Sequence, residues 1–139
     1  MAAETIQLEV VTPEQRVIDA AVDEVVLPGT EGYLGVRPGH TPLLVALGIG
    51  ELSLVRGGST RHLALTSGFA EVMPDRVSVL IQTAEPAEEI DVARAEASRL
   101  RAEKVLAEVH DTAAEEFRAA EARLARAVSR IAVSGRRGA

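Results

Sequence analysis

The stretch from Val77 to Ala95, VSVLIQTAEPAEEIDVARA, contains a change of period that decides the fold. On its N-terminal side Val77, Val79 and Ile81 alternate with Ser78 and Gln82, and only Leu80 breaks the rhythm. A period of two marks a strand with one buried and one wet face. After Glu85-Pro86 there is no further proline, and glycine returns only at Gly135. Asp91 is placed to cap the free amides of a helix running to about Val109. One element cannot carry both periods. The chain therefore divides into a strand-built unit over residues 1–86 and a helical unit over residues 87–139.

Moving toward the N-terminus, the same alternation recurs in Ile6, Leu8 and Val10, in Leu52 and Leu54, and in Leu63 and Leu65. Turn signals punctuate it at Thr12-Pro13, Pro28-Gly29, Pro38-Gly39, Gly57-Gly58, Ser67-Gly68 and Pro74-Asp75. Gly57-Gly58 between two alternating runs predicts a tight hairpin, because glycine reaches the positive φ such turns need. About nine or ten short strands with frequent turns predict an all-β flattened sandwich. Aromatics are only 2% of the chain, so the core must be built from Val, Leu, Ile and Ala.

Moving toward the C-terminus, Thr112 with Glu115 three positions on predicts a capping box for a second helix. Ala113, Phe117, Ala120, Leu124, Ala127 and Ile131 follow at spacings of four and three, an apolar seam on one helix face. The break at His110-Asp111 predicts an antiparallel helical hairpin. Its seam is mostly alanine, with Leu100, Leu106, Phe117, Leu124 and Ile131 as the larger contributors. So thin a seam predicts an arm that exchanges one packing partner for another.

Charge separates the two units as sharply as period does. Residues 1–86 hold 5 basic and 11 acidic side chains, whereas residues 87–139 hold 10 of each. Beyond Glu121 every charged residue is basic: Arg123, Arg126, Arg130, Arg136 and Arg137. The net charge of −6 argues against nucleic acid as a partner. No cysteine is present, and His40, His62 and His110 lie far apart, so no metal site is expected. The leading MAAETIQLEVV lacks the layout of a signal peptide, and no apolar run approaches the roughly 18–20 residues of a membrane span. The protein is expected to remain where it is made, with no direct membrane insertion. Phosphate-loop, G-x-G-x-x-G and G-x-S-x-G motifs are missing, so no catalytic residue is expected and the chain reads as a non-enzyme.

Two segments stand apart from this background. Glu31 to Leu44, EGYLGVRPGHTPLL, packs three glycines and two prolines into an elaborate loop, read either as a partner surface or as a pair of structural turns. In the helical unit, Arg94 and Arg101 share one helix stripe, and Arg123, Arg126 and Arg130 share another. Facing stripes would gather guanidinium groups suited to phosphate. The alternative is a solvated face on which they pair with Glu96, Glu103 and Glu121.

The run from Gly32 to Leu44, GYLGVRPGHTPLL, and Ser67-Gly68-Phe69-Ala70-Glu71-Val72 resemble motifs of the epsilon subunit of bacterial F-type ATP synthase. The resemblance covers essentially the whole chain. It implies a non-catalytic central-stalk subunit that binds gamma and the membrane c-ring and helps couple proton flow to ATP synthesis. It also implies an arm that extends toward the alpha–beta hexamer and inhibits ATP hydrolysis. Localisation would be the cytoplasmic face of the bacterial inner membrane, peripheral through the complex. Glu31, Tyr33 and His40 are the implied ring or gamma contacts, with Tyr33 standing where some relatives carry an acid. Some members bind regulatory ATP through an Ile/Leu-Asp-x-x-Arg-Ala motif, which Glu85, Ile90, Asp91, Arg94, Ala95 and Arg101 match. Arg126 and Arg130 keep the spacing of the second-helix arginines. Two readings compete with this one: a freestanding nucleotide-sensing regulator and a β-sandwich adaptor. Neither would copurify with gamma.

Overall fold

The computed structural model describes residues 4–137; the first three residues of the leading segment lie outside it. Ten strands come first: β1 (Ile6–Val11), β2 (Arg16–Val22), β3 (Glu24–Gly29), β4 (Gly32–Val36), β5 (Leu43–Leu47), β6 (Gly50–Arg56), β7 (Ser59–Leu65), β8 (Gly68–Val72), β9 (Arg76–Ile81) and β10 (Ala84–Pro86). A 3-10 turn at Ala87–Glu89 leads into α1 (Val92–Glu108) and α2 (Glu115–Ser134). The strands follow one hydrogen-bonded path, β10-β7-β6-β3-β5-β8-β9-β1-β2, with β4 beside β3. Only Gly29 opposite Leu47 joins β3 to β5, and there the ribbon folds into two facing layers. β1 runs parallel to β9, and the other pairings are antiparallel.

Alternation explains the core. Ile6, Leu8 and Val10 of β1, Leu52 and Leu54 of β6, Leu63 and Leu65 of β7, and Val77, Val79 and Ile81 of β9 all point inward and are buried. Each fully buried aliphatic side chain contributes about 1.5–3 kcal/mol. Leu80, the residue out of rhythm, points outward at 47% exposure. The Gly57-Gly58 turn joins β6 to β7 with φ of 55° and 85°, as a tight hairpin requires.

The two helices pack along alanines spaced seven apart, Ala95 and Ala102 on α1 and Ala120 and Ala127 on α2, with Phe117, Leu124 and Ile131 half-buried beside them. Three expectations are corrected. Leu100 is 59% exposed, because at 100° per residue it lies about 140° around the helix from Ala95. The connection spans residues 109–114, longer than the break at His110-Asp111. Thr112 forms no capping box. Asp111 turns the chain instead, its carboxylate accepting the Ala113 N–H at 3.0 Å and its carbonyl the Ala114 N–H at 3.1 Å. That local Asx turn leaves Ala114 at the cap position with no side-chain bond.

The helical arm meets the strands through a second, small cluster of Ala64, Ala87, Ile90 and Val133. So little apolar area cannot hold the arm as firmly as the main core holds the sandwich. Amide exchange in residues 90–131 is therefore expected to be at least about tenfold faster than in β1, β7 and β9. Equal protection by mass-spectrometric exchange would contradict this.

Candidate functional site

The predicted phosphate-binding arginines converge. Where the arm lies over β7 and β10 it encloses a cleft of about 580 Å³ bounded by Arg94 and Arg101 of α1 and by Arg123, Arg126 and Arg130 of α2. Glu85 of β10 closes one side, with the small residues Thr66, Thr83, Ala84, Ser98 and Ser129 completing the wall. Three motif residues stand behind the cleft. Asp91 caps α1, its Oδ1 accepting the Arg94 N–H at 3.1 Å. Ile90 anchors the helix start in the small cluster, and Ala95 is fully buried in the helix seam. The motif thus reads as one cap, two packing residues and one presented guanidinium.

The charges in the cleft are unbalanced. Arg130 is held by a fork-shaped pair with Glu85, Nε to Oε1 at 2.7 Å and Nη2 to Oε2 at 3.2 Å. Among the described residues, no carboxylate lies within 4.0 Å of Arg94, Arg101, Arg123 or Arg126. Glu96 and Glu103, the expected neutralising partners, are both taken by Arg99, at 2.8 and 2.6 Å. The hydrogen bonds that Arg99 donates to Glu96, then the charges of Glu103 and Glu96, hold the Arg99 guanidinium above its ordinary range. Four cations around one cleft repel each other, and an anion placed there would relieve that repulsion. Spacing did not reveal the hydroxyl wall. Thr83 Oγ1 lies 3.0 Å from Thr66 Oγ1, and these two residues meet only because β7 and β10 are neighbours.

The other candidate contacts separate. Glu31 to Leu44 is not one loop, because β4 runs through its middle. Glu31 sits in the turn before β4, and His40 lies beyond its far end, with Nδ1 2.8 Å from the Thr41 carbonyl. Five residues of strand set the two ends about 17 Å apart. Tyr33 is 66% exposed, and its hydroxyl accepts the Glu51 N–H at 3.4 Å beside α2. A surface that spacing did not single out lies on the other layer. Leu44 of β5, Phe69 of β8 and Leu80 of β9 are 69%, 49% and 47% exposed. The pairings Ala46 with Phe69, Phe69 with Leu80 and Leu80 with Val11 join them into one apolar stripe. The apolar run from Pro42 to Ile49, broken at Gly48, was a signal for the β5 part alone.

Comparison with known proteins agrees with this two-part layout. Residues 5–87 match the family model "ATP synthase, Delta/Epsilon chain, beta-sandwich domain", and residues 88–135 match "ATP synthase, Delta/Epsilon chain, long alpha-helix domain". The chain belongs to the delta/epsilon family of ATP synthase. The ATP synthase epsilon chain of Syntrophobacter fumaroxidans is 51% identical over 95% of this chain and 97% of its own length. ATP synthase epsilon chain 2 of Syntrophotalea carbinolica is 46% identical over 98% of both chains. In fold, the chain resembles one in the Euglena gracilis mitochondrial ATP synthase OSCP/F1/c-ring structure, with a TM-score of 0.76 at 22% identity over 97% of this chain and 82% of that one. It also resembles one from the Tetrahymena thermophila mitochondrial central stalk and c-ring, with a TM-score of 0.62 at 10% identity over 96% and 99%. Among the described residues, no helix is long and apolar enough to cross a membrane, and no group of three or more His, Asp or Glu side chains is placed to hold a metal ion.

Proposed function

We propose that this delta/epsilon-family chain is a non-catalytic rotor subunit of a bacterial ATP synthase whose arm senses ATP. Its sandwich docks on gamma and the c-ring, and its arm restrains hydrolysis when extended toward the alpha–beta hexamer. The complex would hold it peripherally at the cytoplasmic face of the inner membrane. The apolar stripe of Leu44, Phe69 and Leu80 suits burial against gamma, because solvated monomers seldom expose a continuous apolar strip without use. Glu31 and His40, at opposite ends of β4, suit two different partners rather than one.

The observation that carries the sensing role is the cleft of four guanidiniums that have no carboxylate partner among the described residues, walled by both helices and by β10. Because the walls come from arm and sandwich together, a triphosphate in the cleft binds the docked arm and not the extended one. It shifts the balance by its differential affinity for the two states. At ten times its Kd the shift is about 1.4 kcal/mol toward docking.

Equilibrium dialysis of the isolated chain is expected to find saturable ATP binding at or below millimolar concentration. A chain lacking residues 88–139 should still copurify with gamma, neither bind ATP nor restrain hydrolysis. Absence of saturable binding in the full chain would remove the sensing role, and failure to retain gamma would remove the rotor role.

A further inference from the structure

We infer that His62, Glu51 and Arg136 form a proton-sensitive clasp that holds the last turn of the arm to the sandwich and loosens when His62 gains a proton. Glu51 of β6 pairs with Ala64 of β7, so His62, two residues along β7, is its diagonal neighbour on the same face. His62 Nδ1 lies 2.5 Å from Glu51 Oε1, and Arg136 Nε, just beyond α2, lies 3.4 Å from that same oxygen. The His62 and Glu51 side chains are 14% and 20% exposed, whereas Arg136 is 55% exposed. One half-buried carboxylate oxygen therefore serves a strand residue and an arm residue at once.

With a neutral imidazole carrying its proton on Nδ1, His62 donates to Glu51 and the carboxylate keeps its full charge for Arg136. The trio is then neutral. An imidazolium places a second cation on the same oxygen, and the trio becomes positive. His62 is fixed by its strand, while Arg136 lies beyond the last residue of α2 with its side chain 55% exposed. Arg136 is the partner that leaves.

The surrounding charges do not compensate. Among the described residues, Glu51 is the one carboxylate within 4.0 Å of either cation. On β10 Glu85 is taken by Arg130, and on the 3-10 turn Glu88 is taken by Arg61 of β7. Glu89 of that turn makes no ion pair with either cation among the described residues. Glu121 of α2 lines the same groove as Glu51 without reaching it, and Tyr33 of β4 meets only the Glu51 backbone. Arg137 donates to the Ala87 and Ile90 carbonyls and adds a further cation nearby. An ordinary histidine changes charge between about pH 5 and 8, which sets the two pH values of the test.

The test is amide exchange of the full chain without nucleotide at pH 7.8 and 5.8, corrected for intrinsic rates. Protection of residues 133–137 is expected to fall about threefold more than that of β1 and β9 on acidification, a size suited to a partly exposed ion pair. His62→Gln, which keeps a neutral donor, should abolish the difference. Arg136→Gln should give the lower protection at both pH values. No extra loss in the unaltered chain, or an undiminished loss in His62→Gln, overturns the clasp. Should His62→Gln fail to fold by circular dichroism, a persisting pH difference in Arg136→Gln overturns it alone. No nucleotide is present, so failure here leaves the ATP-binding reading standing.

Discussion

Replacing Arg94 and Arg126 together by alanine is expected to lower ATP affinity by about 100-fold or more. Each guanidinium removes a charge-assisted hydrogen bond of roughly 1.5–3 kcal/mol, and about 1.4 kcal/mol is a factor of ten in binding. The two come from different helices, so their loss opens the cleft on both sides. The fold should survive. Asp91 caps α1 through the backbone N–H of residue 94, which alanine retains, and alanine is the best helix former. Arg99→Ala is the control: it lies on the same helix, is satisfied by Glu96 and Glu103, and does not line the cleft. Its affinity should stay within about twofold of the unaltered chain. Calorimetric titration with ATP reads all three. Equal affinity for the double variant and the unaltered chain would reject the cleft as the site.

Gly68→Ala is expected to destabilise the sandwich by about 3 kcal/mol and to lower its melting temperature by roughly 10 °C or more. Gly68 stands opposite Ile81 where β8 begins. A Cβ there would overlap the Leu80 carbonyl oxygen and come within 2.8 Å of the Ile81 Cα. Both obstacles are backbone, so relief requires moving β9 and with it Val77, Val79 and Ile81 of the core. Gly35→Ala provides the contrast: nothing lies within 4 Å of an added Cβ, so stability should change by less than about 0.5 kcal/mol. Thermal unfolding followed at 222 nm distinguishes them. A Gly68→Ala protein that melts with the unaltered chain would mean that the strands crowd less closely than described.

Legibility in the sequence followed the range of the interactions. Asp91 could be read as a cap because its partner is three residues away. The Gly57-Gly58 hairpin was legible because a two-residue turn depends on φ alone. Thr112 misled because Asp111, its immediate neighbour, offered the backbone a competing turn, and nothing in the spacing ranks the two. Leu100 misled because it is large and apolar, although its angular position excludes it from the alanine seam. The stretch from Glu31 to Leu44 looked like one loop because its glycines and prolines mark both ends of β4 and mask the strand between them.

The switch from period two to helical spacing at Glu85-Pro86, and the aliphatic alternation before it, already specified a sandwich followed by a helical arm. Those patterns act through local dihedral preference and through burial of one face, and both are written residue by residue. Which arginines lack partners was decided only by the tertiary structure. Arg130 differs from Arg126 because the fold brings Glu85, 45 residues away, within 2.7 Å of it. The Thr66–Thr83 wall and the meeting of His62, Glu51 and Arg136 likewise depend on strand order and on where α2 comes to rest. Hydrogen bonds and close ion pairs need partners within about 4 Å, so they depend on the final approach of distant segments.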